Sequence, residues 1–340
     1  MTHNYVAPRE KLCLVLAGLC MSFFLSSPCA WAQSADDVHI APRTIHDQQV
    51  PATDLPPAND SAPYAHVKPI RVNVDLVLVP IAVTDSMNRP VVNLTKRDFA
   101  LYEGEKAQEI RYFMSGEVPI SIALLFDASR SMTDKIDTER AAIHEFFKNA
   151  NPEDEYFAIA FSNRPRLLVG PTESTDEVEE KLTSIQPGGT TAMLDAIYLA
   201  ESELRFARYQ RKAIVIFSDG GDNTSRYTLR QVKKLIEESD TQIYAIGLFE
   251  TFLFSTIEEK LGKKWLSEIT DRTGGRTITV QDRTKLPEAA GIISREMRNQ
   301  YILGYRPTVG DGKWRKIRVR VTSEQSLRAY YKGGYYSAEK

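Results

Sequence analysis

Five oxygen-bearing side chains in three short segments of this sequence could together bind one divalent metal ion. The segments are LLFDASRSM, PGGTTAML and IVIFSDGGDN, and the five residues are Asp127, Ser129, Ser131, Thr191 and Asp219. Each segment adjoins an apolar run, so folding would gather the oxygens at one edge of a core. Hydroxyl and carboxylate oxygens suit hard divalent cations. The sequence therefore predicts a site for Mg2+, with Mn2+ or Ca2+ as alternatives.

This set of ligands would leave the ion with an open coordination position. Mg2+ prefers octahedral oxygen coordination and usually keeps several waters. Ser129, Ser131 and Thr191 are expected as direct ligands, and their neutral hydroxyls would leave the ion electrophilic. Asp127 and Asp219 are expected to bind directly or through water. We therefore expect a partner protein or peptide to fill the open position with an Asp or Glu carboxylate.

The same residues resemble the metal-ion-dependent adhesion site of von Willebrand factor A domains. The D-x-S-x-S pattern of that family falls on Asp127, Ser129 and Ser131. The family's last aspartate, which ends a buried strand and precedes glycine, falls on Asp219. The resemblance implies a doubly wound, Rossmann-like fold and a binding role.

Two further positions can be compared with the family pattern. Its threonine precedes a helix that opens T-x-(L/M)-x-x-A-(L/I), which selects Thr191 rather than Thr190. Arg130 stands where the family frequently has glycine, and it would place a positive charge beside the ion.

Longer motifs extend the resemblance to bacterial secreted proteins with a von Willebrand factor A-related domain. The segment VPIAVTDSMNRPVVNLTKRDFALYEGEKAQEI precedes the metal motif, and QYILGYRP, WRKIRVRV and KGGYY follow it. The resemblance covers residues 74–336, nearly the whole predicted mature chain. It implies a secreted or envelope-associated protein without a known reaction or an agreed partner.

Residues 1–32 have the pattern of a signal peptide. Arg9 and Lys11 precede an apolar stretch at residues 12–24, and Ala30-Trp31-Ala32 offers small residues where a signal peptidase cuts. The stretch is shorter than the roughly 20 residues of a membrane span, although an uncleaved anchor remains the alternative. We expect export by a Sec-type signal to the periplasm, cell envelope or extracellular space, with no transmembrane span in the mature chain.

Composition narrows the class of partner and of site. The three cysteines all precede the predicted cut, which excludes disulfides and thiolate metal sites from the exported chain. The net charge is −2 with 26% charged residues, so nothing favours nucleic acid as a partner. Residues 33–68 are polar, contain five prolines and lack periodicity, which predicts a disordered linker. The sequence leaves the oligomeric state open.

Short alternating runs near both ends of the chain predict β-strands. In residues 69–116, the even-numbered residues from Val72 to Leu78 are expected on the buried face. In residues 299–340, the run WRKIRVRV alternates in the same way. Each group alone has too few strands to be stable. We predict that the two groups pair into one β-sandwich-like unit, similar to the integrin hybrid domain; the alternative is two independent β pieces.

Residues 117–298 predict an α/β domain inserted between these groups. Four apolar runs are typical of parallel strands covered on both faces: residues 120–126, 156–161, 213–218 and 243–248. Segments with helical periodicity lie between them. This order predicts a doubly wound sheet, whose ligands gather beyond the carboxyl ends of the strands. Asp127 and Asp219 both follow such ends.

Loops at the same edge are expected to contact the partner. Their basic and aromatic residues are Arg130, Arg164, Arg166, Arg226, Tyr227, Phe252 and Phe254. Exposed aromatic rings beside arginines and a metal ion would suit an acidic residue flanked by apolar ones. The alternative for the Phe-rich loop is that its rings fold back as core.

Three functions remain open on sequence alone. The leading one is a metal-dependent protein-binding module, the second is an envelope scaffold with a structural or vacant metal site, and the third is a metal-dependent hydrolase. The sequence has neither G-x-S-x-G nor H-E-x-x-H. His144 is expected on a helix surface, and Ser129 stands where an aspartyl phosphoryl-transfer site would need a second acid. We therefore expect no enzymatic activity.

Overall fold

Fourteen strands and six α-helices make up the described part of the chain, which the computed structural model gives as residues 76–249, 257–307, 310–322 and 326–337. The strands are β1 (Val77–Thr84), β2 (Phe99–Glu103), β3 (Lys106–Gln108), β4 (Tyr112–Ser115), β5 (Ser121–Asp127), β6 (Glu155–Phe161), β7 (Pro165–Thr172), β8 (Lys212–Ser218), β9 (Gln242–Leu248), β10 (Thr277–Val280), β11 (Gln300–Tyr305), β12 (Trp314–Val321), β13 (Arg328–Tyr331) and β14 (Gly334–Tyr336). The helices are α1 (Ile136–Phe147), α2 (Thr175–Thr183), α3 (Met193–Leu204), α4 (Leu229–Glu238), α5 (Ile257–Thr273) and α6 (Leu286–Arg298).

A six-stranded sheet with the order β10-β9-β8-β5-β6-β7 forms the centre of the α/β domain. Neighbouring strands from β10 to β6 are parallel, and β7 is an antiparallel edge strand. Every residue of β5 and β6 is buried, because helices cover both faces of the sheet. The four predicted parallel strands are confirmed.

Helices pack on both sides of this sheet, as a doubly wound fold requires. Side chains of α1, α2 and α6 share one apolar core with the strands, and side chains of α3, α4 and α5 share the other. The predicted doubly wound α/β fold class is confirmed. Because its strands are parallel, the carboxyl ends of β5 and β8 meet at one edge.

Strands from the two ends of the chain form the flanking β-sandwich-like unit. Its two antiparallel sheets have the orders β13-β1-β11-β4 and β14-β12-β2-β3. β1 pairs with β11 and β13, and β2 pairs with β12. Apolar side chains from both sheets form one core between them. The prediction of a joint unit is therefore confirmed, and the alternative of two independent pieces is wrong.

The predicted inward face of the first strand is wrong at Leu78. Leu78 is half exposed, whereas Val79, Ile81 and Val83 are buried. Pairing with β11 places these odd-numbered residues on the face that packs against the second sheet. Both faces of this run are apolar, so alternation alone did not determine which face is buried.

Several predictions concern residues outside the described ranges. These include the signal peptide at 1–32, the linker at 33–68, and the rings of Phe252 and Phe254. In the portion that the structure describes, no helix is long and apolar enough to cross a membrane.

Candidate metal centre

Two carboxylates come together where β5 and β8 end. Asp127 is the last residue of β5, and Asp219 directly follows β8. These strands are paired in parallel, so their ends lie side by side. The side chains are buried, with 0% of Asp127 and 3% of Asp219 exposed. Such closely placed, buried acids are costly unless protons or cations compensate them.

The environment of Asp127 is set by burial and by serine donors. Its Oδ1 accepts a hydrogen bond from the Ser129 amide at 2.9 Å, and its Oδ2 accepts one from the Ser218 hydroxyl at 2.5 Å. Burial and the charge of Asp219 nevertheless raise the pKa of Asp127 to about 7. A divalent cation between the two acids would offset that repulsion and favour the ionised form.

The two serines of the D-x-S-x-S segment present their hydroxyls together. Ser129 Oγ and Ser131 Oγ lie 3.0 Å apart. Adjacent oxygens on an octahedral Mg2+ with bonds of 2.0–2.1 Å lie about 2.9 Å apart. Ser129 is buried and Ser131 is exposed. The pair thus has the spacing of neighbouring ligands and reaches from the buried acids to solvent.

Backbone hydrogen bonds position the loop that carries Thr191 against the serine segment. The Gly188 amide donates to the Ala128 carbonyl at 2.8 Å, and the Arg130 amide donates to the Gly189 carbonyl at 3.3 Å. Thr191 itself is 5% exposed. The backbone that directly precedes Thr191 is therefore held beside the D-x-S-x-S segment.

Thr190 and Thr191 have different surroundings. The Thr191 amide donates to Asn223 Oδ1 at 3.0 Å, which connects it to the loop after Asp219. Thr190 is exposed, and both its amide and its hydroxyl donate to Asn163 Oδ1 at 2.7 Å. Thr191 is thus buried and connected to the loop after Asp219, whereas Thr190 is exposed and bonded to Asn163.

A buried lysine and glutamate, which the sequence analysis did not single out, complete the surroundings. Lys135 Nζ lies 3.0 Å from Asp219 Oδ2, and Lys135 is 7% exposed. Glu139 is 1% exposed, and no side chain donates a hydrogen bond to its carboxylate oxygens. Burial raises the pKa of Glu139 well above its usual range, and the charges of Asp127 and Asp219 raise it further.

A sequence signal for Glu139 exists in α1. The buried positions of that helix are Glu139, Ala142, Ile143, Phe146 and Phe147. An acidic residue in line with an apolar helix face is unusual, and this spacing could have identified it. Lys135 precedes the helix and offers no comparable pattern.

The candidate site depends on hydroxyls as well as acids. Among the residues that the structure describes, no group of three or more His, Cys, Asp and Glu side chains is arranged to hold a metal. The predicted ligand set combines two acids with the hydroxyls of Ser129, Ser131 and Thr191. His144 is 64% exposed and contacts Glu179 at 3.0 Å, as expected of a surface histidine.

The arginines expected to contact a partner are exposed but differ in their setting. Arg130 lies in the metal-site turn, Arg164 between β6 and β7, and Arg226 after β8. The Arg226 amide donates to Asp195 Oδ1 at 2.8 Å. Arg166 was expected in a loop, but it lies in β7 opposite Ala160. Because β7 pairs antiparallel with β6 at this position, Arg166 lies within the sheet and not in the preceding loop.

The aromatic residues give less support to an apolar contact patch. Tyr227 stacks on Tyr198 with ring centroids 3.9 Å apart and packs against the core of that sheet face. Phe249, at the start of the Phe-rich segment, is 5% exposed and belongs to the same core. Phe252 and Phe254 lie outside the described residues.

Comparison with known proteins identifies related sequences for the central part of the chain. Residues 122–221 match the family model described as von Willebrand factor type A domain. An uncharacterized protein of Borreliella burgdorferi is 24% identical over 184 residues, which cover 47% of this chain and 54% of that protein. The inter-alpha-trypsin inhibitor heavy chain H4 of Bos taurus is 24% identical over 135 residues, which cover 36% of this chain and 15% of that protein. The chain thus spans about half of the first relative and a small part of the second.

Solved structures with a related chain path include two bacterial proteins. A von Willebrand factor type A protein from Catenulispora acidiphila has a TM-score of 0.47 and 12% identity, covering 70% of this chain and 75% of that one. The conserved hypothetical protein BatB from Bacteroides thetaiotaomicron has a TM-score of 0.41 and 18% identity, covering 52% of this chain and 98% of that one.

Proposed function

We propose that residues 122–221, which match the von Willebrand factor type A domain model, bind a protein or peptide partner through a divalent cation. The ion is Mg2+, with Mn2+ or Ca2+ as alternatives. A carboxylate of the partner completes its coordination. The signal-peptide pattern at residues 1–32 supports action outside the cytoplasm, in the periplasm, at the cell envelope or in the medium.

The observation that carries this proposal is the position of the oxygens. Two buried carboxylates lie at adjacent strand ends, beside two serine hydroxyls whose 3.0 Å separation suits neighbouring ligands. Ser129, Ser131 and Thr191 would bind the ion directly, and Asp127 and Asp219 would do so directly or through water. When bound, the ion supplies a Lewis-acidic position to an incoming carboxylate.

The chain's own residues define the remainder of the binding face. The hydrogen bond from Ser129 orients Asp127, and exposed Ser131 marks the side open to solvent. Arg130 adds a positive charge next to that opening and would attract an acidic partner. We propose a binding module without enzymatic activity.

The two adjacent threonines provide a matched test. Thr191→Ala should weaken Mg2+ binding to the full chain at least about tenfold, a loss of about 1.4 kcal/mol, as measured by isothermal titration calorimetry. Thr190→Ala should leave Mg2+ binding unchanged, because Thr190 engages Asn163. Equal effects of the two substitutions, or none from Thr191→Ala, would contradict the proposed ligand set.

A second candidate function has one specific observation in its favour. Lys135 already pairs with Asp219, so the protein's own cation compensates that acid. This arrangement suits an envelope scaffold whose metal site is structural or vacant. Capture of partners from envelope extract, with and without EDTA, separates the two. EDTA-sensitive capture that Thr191→Ala abolishes supports the metal-dependent module, whereas EDTA-insensitive association supports the scaffold.

A further inference from the structure

A basic residue outside the five-residue site lies against one of its buried acids. Lys135 directly precedes α1, and the Glu139 amide in the first turn of that helix donates to the Lys135 carbonyl at 2.9 Å. Lys135 is more than nine-tenths buried, so water screens its charge little.

Lys135 already neutralises one of the site's acids. Its ammonium lies 3.0 Å from Asp219 Oδ2, and their side chains are 9% and 4% exposed. A divalent ion using Asp219 must either displace this ammonium or remain beside a like charge. Both cases cost free energy, because charges of one sign repel strongly where the medium is less polar than water.

We propose that Lys135 lowers the metal affinity of the site: it is a tethered cation that competes with the ion for Asp219. The inference rests on the proposed function and adds its regulation. The Lys135–Asp219 ion pair stabilises the domain without metal, because the ammonium takes the place of the ion beside Asp219. The same pair makes metal binding weaker than the five ligands alone would allow.

The test is titration of MgCl2, and separately MnCl2, into the full chain by isothermal titration calorimetry. Lys135→Gln should bind either ion at least about tenfold more tightly than wild type. Lys148→Gln is the matched control, because Lys148 directly follows α1 and is exposed. This control should change the affinity by less than about twofold, because solvent screens an exposed charge.

Folding is checked on every variant by thermal unfolding in EDTA. If Lys135→Gln does not fold, Lys135→Met, which keeps the aliphatic stem, replaces it. An unchanged or weakened affinity in the lysine variant overturns the inference.

The outcomes also separate this inference from the proposed function. If wild type binds the ion, Thr191→Ala does not, and Lys135→Gln matches wild type, only the inference on Lys135 fails. If neither wild type nor the lysine variant binds Mg2+ or Mn2+, the proposed function fails and the inference fails with it. If wild type binds weakly and the lysine variant tightly, both are supported.

Discussion

At the scale of single residues, the ion pair of Lys135 and Asp219 links stability to the candidate site. Both partners are buried, and removal of one partner of a buried pair typically costs about 3–5 kcal/mol because the other charge is left uncompensated. The acids at this edge therefore contribute to the stability of the fold, although they lie at strand ends and not within an apolar core.

Asp219→Ala should accordingly destabilise the chain by about 3–5 kcal/mol in the absence of metal, since it leaves the Lys135 ammonium unpaired. Urea unfolding in EDTA measures the effect. Adding Lys135→Met to Asp219→Ala should recover much of the loss, because it removes the unpaired charge. A single variant as stable as wild type, or a double variant less stable than Asp219→Ala, would contradict the coupling.

The residues at the site differ in how far sequence could identify them. The spacing of Asp127, Ser129 and Ser131 identifies them directly, and a helix-opening pattern separates Thr191 from Thr190. Lys135 was not identifiable, because its pairing with Asp219 spans 84 residues and follows only from tertiary packing. The surroundings of Tyr227 were likewise hidden, since its stacking partner Tyr198 lies on a different element.

At the scale of elements, helix α5 contacts the turn that follows β8. Gly220 has a φ of +83°, and a Cβ on Gly262 of α5 would lie 1.7 Å from the Gly220 carbonyl oxygen. The helix approaches the turn so closely that only glycine fits at position 262. This contact therefore holds the backbone next to Asp219.

Gly262→Ala should destabilise the protein by at least about 1–3 kcal/mol, because backbone atoms must move to admit the methyl group. It should also weaken Mg2+ binding by shifting the turn that follows β8. Thermal unfolding and metal titration measure the two effects. Leu261→Ala, at a position 46% exposed on the same helix, is the control. If Gly262→Ala is as stable as Leu261→Ala, the close contact between Gly262 and Gly220 does not restrict position 262 to glycine.

Helix α3 carries a buried carboxyl that gives a pH-dependent contribution to stability. Glu201 is 6% exposed, and its Oε2 accepts hydrogen bonds from Ser239 Oγ at 2.9 Å and Thr241 Oγ1 at 3.1 Å. Burial raises the pKa of Glu201, while the two hydroxyls and the charges of Lys332 and Lys212 act against that rise. The folded state therefore holds this proton more tightly than the unfolded state does.

A carboxyl with a raised pKa contributes most below its unfolded value and loses that contribution as pH rises through its folded value. The stability of wild type relative to Glu201→Gln should therefore fall as pH increases from about 4.5 to about 8. Urea unfolding of both proteins across this range measures the difference. If the difference in unfolding free energy between wild type and Glu201→Gln stays constant with rising pH, or grows in favour of wild type, the raised pKa of Glu201 is contradicted.

Elements were predictable where a single pattern dominated. The four buried parallel strands have continuous apolar runs, and α1 and α3 have helical spacing. β7 was missed because Pro165, Gly170 and Pro171 interrupt its pattern, which an edge strand tolerates. The buried face of β1 was missed because residues on both of its faces are apolar.

At the scale of the whole molecule, strands that precede and follow the central domain in the described residues are folded together. Besides the shared sheets, Lys332 Nζ donates to the carbonyls of Glu237 at 2.9 Å and Ser239 at 2.5 Å, at the end of α4. Arg276 donates to Asn88 Oδ1 at 3.1 Å and lies over the Tyr330 ring. The β-sandwich-like unit therefore has specific contacts with the α/β domain.

Limited proteolysis of the full chain should release no folded fragment that consists of β1–β4 alone. β1 pairs with β11 and β13, β4 pairs with β11, and β2 pairs with β12. The fragment would keep the β2–β3 pairing but leave β1 and β4 without partners, and a two-stranded hairpin alone is marginally stable. Size-exclusion chromatography with mass spectrometry of the digest detects such a fragment. Nicked pieces should elute together, and an independently folded fragment of residues 76–115 would contradict the joint unit.

The most direct test of the account is the number of Mn2+ ions bound per full chain, measured by electron paramagnetic resonance during titration. The proposed site predicts one saturable Mn2+ per wild-type chain and its loss in the Ser129→Ala, Ser131→Ala double variant, with folding retained because neither substitution leaves a buried charge unpaired. No saturable Mn2+ in the wild type, or undiminished binding in a folded double variant, would contradict the central claim.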